Sequence, residues 1–115
     1  MGGWLSKMER KIPGKVVISP KVLKTIVKLT ALSHPEVIAV ALPGPFRLHI
    51  PEGGVRVKVQ DDKVWINLHI IASAEANMYK LGLELQNEIA RAIQNITGME
   101  VAEVNVRIEG VKKKA

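Results

Sequence analysis

The residues whose types and spacing could do surface chemistry are Arg56, Lys58, Trp65, Asn67 and His69 in one stretch and Asn105 and Arg107 in another. In both stretches they alternate with valine, isoleucine or leucine, so a hairpin and a further strand carrying them would place them together on the face opposite the apolar one. A flat basic sheet face with an aromatic ring is the geometry of platforms for single-stranded nucleic acid, where one stacked base contributes about 1–3 kcal/mol. The same residues support a second arrangement, in which Lys58 covers the Trp65 ring as a cation–π pair and the face is solvated or dimeric. The chain has two Trp, one Tyr and one Phe, and such platforms present two or three rings on one face, which favours the second arrangement.

Nothing in the sequence assembles a catalytic constellation. His34, His49 and His69 fall in a helix-end turn, a loop and a strand, none at metal-ligand spacing from another histidine or from a carboxylate. Asp61-Asp62 is a carboxylate pair, but it lies between two alternating runs, where aspartate is favoured because it tolerates the positive φ of a tight turn. There is no glycine-rich phosphate loop followed by Lys and Ser/Thr, no nucleophile elbow and no Ser–His–carboxylate relay. The expectation is a protein that is not an enzyme, with no catalytic residues, cofactor or metal.

These residues need elements to position them. Val55–Gln60 and Lys63–Ile70 form a hairpin in which Gln60 pairs with Lys63, Val59 with Val64, Val57 with Ile66 and Val55 with Leu68 on the core side, and Lys58 with Trp65 and Arg56 with Asn67 on the other. Ile89, Ile93 and Ile96 recur at helical spacing, extending back through Leu85, Gly82 and Met78, and Gly98 stands where a left-handed cap ends the helix. From Val101 the period is two, with Ala102, Val104, Val106 and Ile108 on one side and Glu103, Asn105, Arg107 and Glu109 on the other. Upstream, Lys15–Ile18 is a first strand. Ser19 and Pro20 start a helix with Val22, Leu23, Ile26, Val27, Leu29 and Thr30 inward and Lys21, Lys24 and Lys28 as a basic stripe. Val37–Leu42 is a buried strand. The irregular stretch 43–54 carries Phe46, Leu48 and Ile50 in alternation with Arg47 and His49, as a short edge strand or a flap that could meet a partner.

The order β-α-β-β-β-α-β predicts an α+β two-layer sandwich: a mixed sheet of about five strands with two helices on one face. The expected boundaries are a basic arm at 1–13, a single domain at 14–111 and a basic tail at 112–115. A chain of 115 residues can bury a core. The absence of cysteine excludes disulfides and thiolate metal sites. No apolar run approaches the length of a membrane span, so direct transmembrane insertion is not expected. The net charge of +6 gathers at the two ends and on the first helix. There Lys21, Lys24, Lys28, Lys112, Lys113 and Lys114 could contact an anionic surface or serve solubility alone. In the arm, Trp4, Leu5, Met8 and Ile12 could share one helical face ringed by Lys7, Arg10 and Lys11, as an interfacial anchor or as a leader packed on a neighbouring subunit.

The run Thr97-Gly98-Met99-x-Val101-x-x-Val104-Asn105-Val106-x-Ile108-x-Gly110-Val111, with Gly54-Val55-x-Val57 and Gln86-x-x-Ile89 before it, resembles the alkaline shock protein 23 family of bacterial envelope stress proteins. Gly14-Lys15-Val16-x-Ile18-Ser19 extends the resemblance to residues 14–111. Ala74-Glu75 and Pro35-Glu36-Val37 stand where members often have Tyr-Gly and Pro-Gly-Val. The resemblance implies a non-catalytic cytoplasmic protein without cofactor, associated with the inner membrane face through membrane-anchored partners and supporting envelope homeostasis. It joins the basic ends in pointing to a self-associating interaction or scaffold protein; a nucleic-acid-binding module is the alternative.

Overall fold

A computed structural model describes residues 13–41 and 54–114. The elements are α1 (Pro20–Ser33), β1 (Val37–Val40), β2 (Val55–Gln60), β3 (Lys63–Ser73), α2 (Met78–Thr97) and β4 (Glu100–Lys112). They form the α+β sandwich expected, with four strands rather than five. Lys15–Ile18 is not a strand: Val16 and Val17 stand 95% and 82% exposed, and no sheet edge receives them. Their β-branched side chains supply strand propensity, but propensity without a partner edge does not make a strand. The expected edge strand or flap at Phe46, Leu48 and Ile50 lies outside the described residues, as does the arm up to residue 12.

β3 is the centre of the sheet. Its first half pairs antiparallel with β2, its second half antiparallel with β1 on the same edge, and its whole length parallel with β4 on the other. The β2–β3 register is the one expected, from Gln60↔Lys63 to Val55↔Leu68. Asp61 and Asp62 make the turn at φ 52° and 62°, the two positive values that a two-residue hairpin matched to strand twist requires. The parallel β3–β4 pair needs a crossover, which α2 provides.

Local chemistry starts and stops the helices. Ser19 Oγ accepts from Lys21 N–H and Pro20 follows at the first helical position; Asn77 Oδ1 accepts from Lys80 N–H at the start of α2. Gly98 closes α2 at φ 74°, its N–H on Gln94 O. Both helices cover one face of the sheet: Leu23, Val27 and Ala31 of α1 and Leu81, Leu85, Ile89 and Ile93 of α2 lie against Val64, Ile66, Leu68 and Ile70 of β3.

Four expected facings are corrected. Val22 and Leu29 are exposed, because the buried stripe of α1 runs Leu23–Val27–Ala31 at four-residue spacing. Ile96 is exposed on α2 for the same reason, the stripe ending at Ile93. Ala102 is exposed: β4 carries an extra residue there, Val101 pairing with Val64 and Glu103 with Trp65, so Val101 takes the inward position. A second bulge at Glu109, between Ile108↔Ile70 and Gly110↔Ile71, keeps the glutamate on the open face.

The β3–α2 turn is held by Ser73, fully buried, whose Oγ–H donates to Glu75 Oε2 at 2.6 Å while Oγ accepts from Glu75 N–H at 3.3 Å. That hydroxyl is the first cause holding the Glu75 carboxyl below its ordinary range, with the residue's own backbone and then Lys114 adding to it. A carboxyl depressed in the folded state contributes stability that is complete above its unfolded value and is lost as pH falls through the folded one. Ser73→Ala is therefore expected to move the Glu75 titration back up, as followed by carboxyl-carbon NMR. An unmoved titration would show that the hydroxyl is not the donor.

Candidate functional site on the open sheet face

The alternation of β2, β3 and β4 brings Arg56, Lys58, Trp65, Asn67, His69, Asn105 and Arg107 to one sheet face, opposite the helices. Across β3 and β4 the facing pairs are Trp65↔Glu103, Asn67↔Asn105 and His69↔Arg107. Arg56, Lys58, Asn67, Asn105 and Arg107 are exposed, and Trp65 and His69 half-buried.

The groups are bonded to one another. Lys58 Nζ lies 5.5 Å from the Trp65 ring centroid, the cation–π pair the sequence allows. Asn105 Nδ2 donates to Asn67 Oδ1 and to Glu103 Oε2, each at 3.0 Å. His69 Nδ1 lies 2.7 Å from Glu109 Oε2 as a donor to the carboxylate, and Arg107 Nε sits 3.4 Å from Glu109 Oε1. Sequence reasoning put Glu103 and Glu109 on this side of β4 without drawing the consequence. Two carboxylates stand among the basic groups, so the face is mixed in charge rather than a basic platform.

Of the basic groups assigned to an anionic surface, Lys21, Lys112 and Lys113 are exposed and Lys24 and Lys28 half-buried. Lys114 Nζ pairs with Glu36 Oε1 at 3.3 Å. Phe46, Leu48 and Ile50 lie outside the described residues. An open groove at the hairpin end, lined by Lys15 to Ile18, Val59, Asp62 and Thr97 to Met99, was not visible in the sequence.

A second cluster was also missed. His34, buried at the end of α1, stands with Glu84 and Glu88, one helical turn apart on α2, their ligand atoms within 4.8 Å of one another. The three residue types could hold a divalent cation, but the imidazole is committed otherwise. His34 Nδ1 accepts from Glu36 N–H at 3.1 Å, so its proton is on Nε2, which faces Glu84 Oε2 at 3.7 Å. A metal on Nε2 would need the proton on Nδ1, pointed at the Glu36 N–H. The geometry suits a clasp between α1 and α2. Only the fold brings positions 34 and 84 together, so no spacing signal announced it.

Among the described residues no helix is long and apolar enough to cross a membrane. The fold is similar to two MamM CTD variants: a zinc form, at 14% identity and TM-score 0.51 over 78% of this chain and 84% of that one, and another at 14% and 0.52 over 80% and 98%. In sequence the chain is 28% identical over 108 residues to the uncharacterized protein YqhY of Bacillus subtilis (strain 168), covering 86% of this chain and 78% of that protein. The model of the alkaline shock protein 23 family, described as having a cell envelope-related function, matches residues 8–113. A match over that span agrees with the Thr97–Val111 run and the hairpin, and the chain belongs to the alkaline shock protein 23 family.

Proposed function

We propose that this protein is a non-catalytic, self-associating interaction protein of the cell envelope, held at the cytoplasmic membrane face by a membrane-anchored protein that docks on the open sheet face. The observation that carries this reading is the internal bonding of that face. Glu109 holds His69 and Arg107, Asn105 holds Asn67 and Glu103, and Lys58 covers Trp65. Side chains already fixed in place lose little conformational freedom when a partner docks, and a half-buried Trp65 on a face that also carries Arg56 and Arg107 is the composition of interface anchors. A phosphate backbone laid on the same face would meet Glu103 and Glu109, which disfavours nucleic acid.

The test is co-sedimentation of the purified protein with membranes from its own cells. Retention is expected to disappear when the membranes are stripped of protein, and Trp65→Ala is expected to weaken it by about tenfold, as loss of one aromatic anchor does. Equal binding to protein-free vesicles of the same lipids would overturn the reading. So would oligonucleotide binding with a steep salt dependence that Trp65→Ala abolishes.

A further inference from the structure

β4 is the longest strand, and among the described residues its outer edge has no partner. The direction of its backbone groups can be followed along the chain. Ala74 N–H, just past β3, donates to Lys112 O at 2.8 Å, so that carbonyl faces the β3 side. Alternation carries the same direction to Gly110, and the bulge at Glu109 shifts the phase by one residue. Between the bulges, Asn105 and Arg107 therefore turn N–H and C=O toward β3, and Val104, Val106 and Ile108 turn theirs outward. An independent contact agrees: Val104 O accepts from the side chain of Gln86, reaching from α2 at 3.1 Å.

An edge of this length is a template for another strand. We propose that its occupant is a second copy of this chain, pairing β4 with β4 antiparallel about a two-fold axis at Asn105. The proposal rests on the self-association stated above and names its surface. Charge selects the register. With the axis at Asn105, Glu103 of each copy faces Arg107 of the other, two opposite-charge cross-strand pairs. With the axis at Val106, Glu103 would face Glu109 twice; with the axis at Arg107, that residue would face itself. The same axis sets Val104 opposite Val106, the two residues whose backbone groups point outward, so each such pair exchanges both its N–H···O bonds. Gln86 occupies one of the two lone pairs on Val104 O and can stay. The contact is isologous, so it closes on itself.

The chain has no cysteine, so Asn105→Cys in the full-length protein introduces a single thiol. In this register the two sulfurs meet in a non-hydrogen-bonded pair, the closest approach in an antiparallel ladder. Mild oxidation is expected to convert most of that variant to a covalent dimer and to leave an Asn67→Cys control monomeric on denaturing gels. By sedimentation equilibrium, Glu103→Arg and Arg107→Glu are each expected to raise the dimer Kd by about tenfold, since both symmetry-related pairs become repulsive, and the double exchange to restore it. A wild-type dimer whose Asn105→Cys form does not cross-link, or a double exchange no better than either single one, overturns this surface and leaves self-association standing. A wild-type protein that stays monomeric removes both.

Discussion

Gly54→Ala is expected to destabilise the fold by roughly 3 kcal/mol or more, a large part of the total stability of a domain this size. Gly54 has φ +89°, a conformation that side chains with a Cβ rarely adopt. It also leaves no space. A Cβ there would press on Ala41 O and stand 2.8 Å from both the Ala41 carbonyl carbon and Val40 Cγ1. Two of these are backbone atoms, which cannot rotate away. The position is the seam where β1 and β2 meet along one edge of β3. Ala41 N–H donates to His69 O and His69 N–H donates to Gly54 O, each at 2.8 Å. Separating Gly54 from Ala41 pulls on both bonds to His69, whose side chain holds Glu109 on the open face, so partner docking should weaken with stability. Gly98→Ala isolates the conformational part, because Gly98 is also left-handed at φ +74° but has open space around it. That variant is expected to lose about 1 kcal/mol. Urea midpoints at unchanged slope measure both, and equal losses would show that the approach of Ala41 to Gly54 is not as close as described.

The contrast between these glycines marks where sequence reasoning reached its limit. Gly98 was legible, because a helical period ends and a two-residue period begins around it. The role of Gly54 was not, because its neighbour Ala41 is set by the way β1 and β2 share an edge of β3. The hairpin register was legible since Asp61-Asp62 and the alternating valines admit one pairing. The bulges at Ala102 and Glu109 were not: each shifts the inward phase by one residue, from Val101 to Val104 and from Ile108 to Val111, but the small apolar Ala102 fits the even series and hides the first shift, and the second falls near the strand's end. Lys15–Ile18 shows the opposite failure, a strong local propensity with no edge to receive it. On the candidate site, alternation alone placed every basic residue, Trp65 and Asn67 on the face where they stand. What it did not convey was which neighbour each would choose, so the neutralising roles of Glu103 and Glu109 emerged only from geometry. The His34 clasp depends on α1 packing against α2 and had no local signal.

The second large effect tests the face of α2, where sequence spacing turned Ile96 inward. Ile89→Ala is expected to lose about 3–4 kcal/mol, the range for truncating a branched side chain in a core that collapses incompletely around the cavity. Ile89 is fully buried in the stripe Leu81–Leu85–Ile89–Ile93, between α1 and the sheet. At roughly 4–8 °C of melting temperature per kcal/mol for a domain of this size, the fall should be about 12–32 °C. Ile96→Ala is expected to change stability by less than about 0.5 kcal/mol, because Ile96 is 66% exposed and alanine is the better helix former. Equal losses at the two positions would mean that α2 is rotated toward an Ile89–Ile93–Ile96 face. The rotation has a consequence beyond stability. Gln86 reaches Val104 O only when Leu85 and Ile89 point into the core, so a rotated helix would carry Gln86 off the β4 edge. In an Ile89→Ala protein kept below its melting temperature, slow hydrogen exchange of the Gln86 side-chain amide is therefore expected to persist if the helix holds its orientation, and the two measurements together separate a softened core from a misplaced helix.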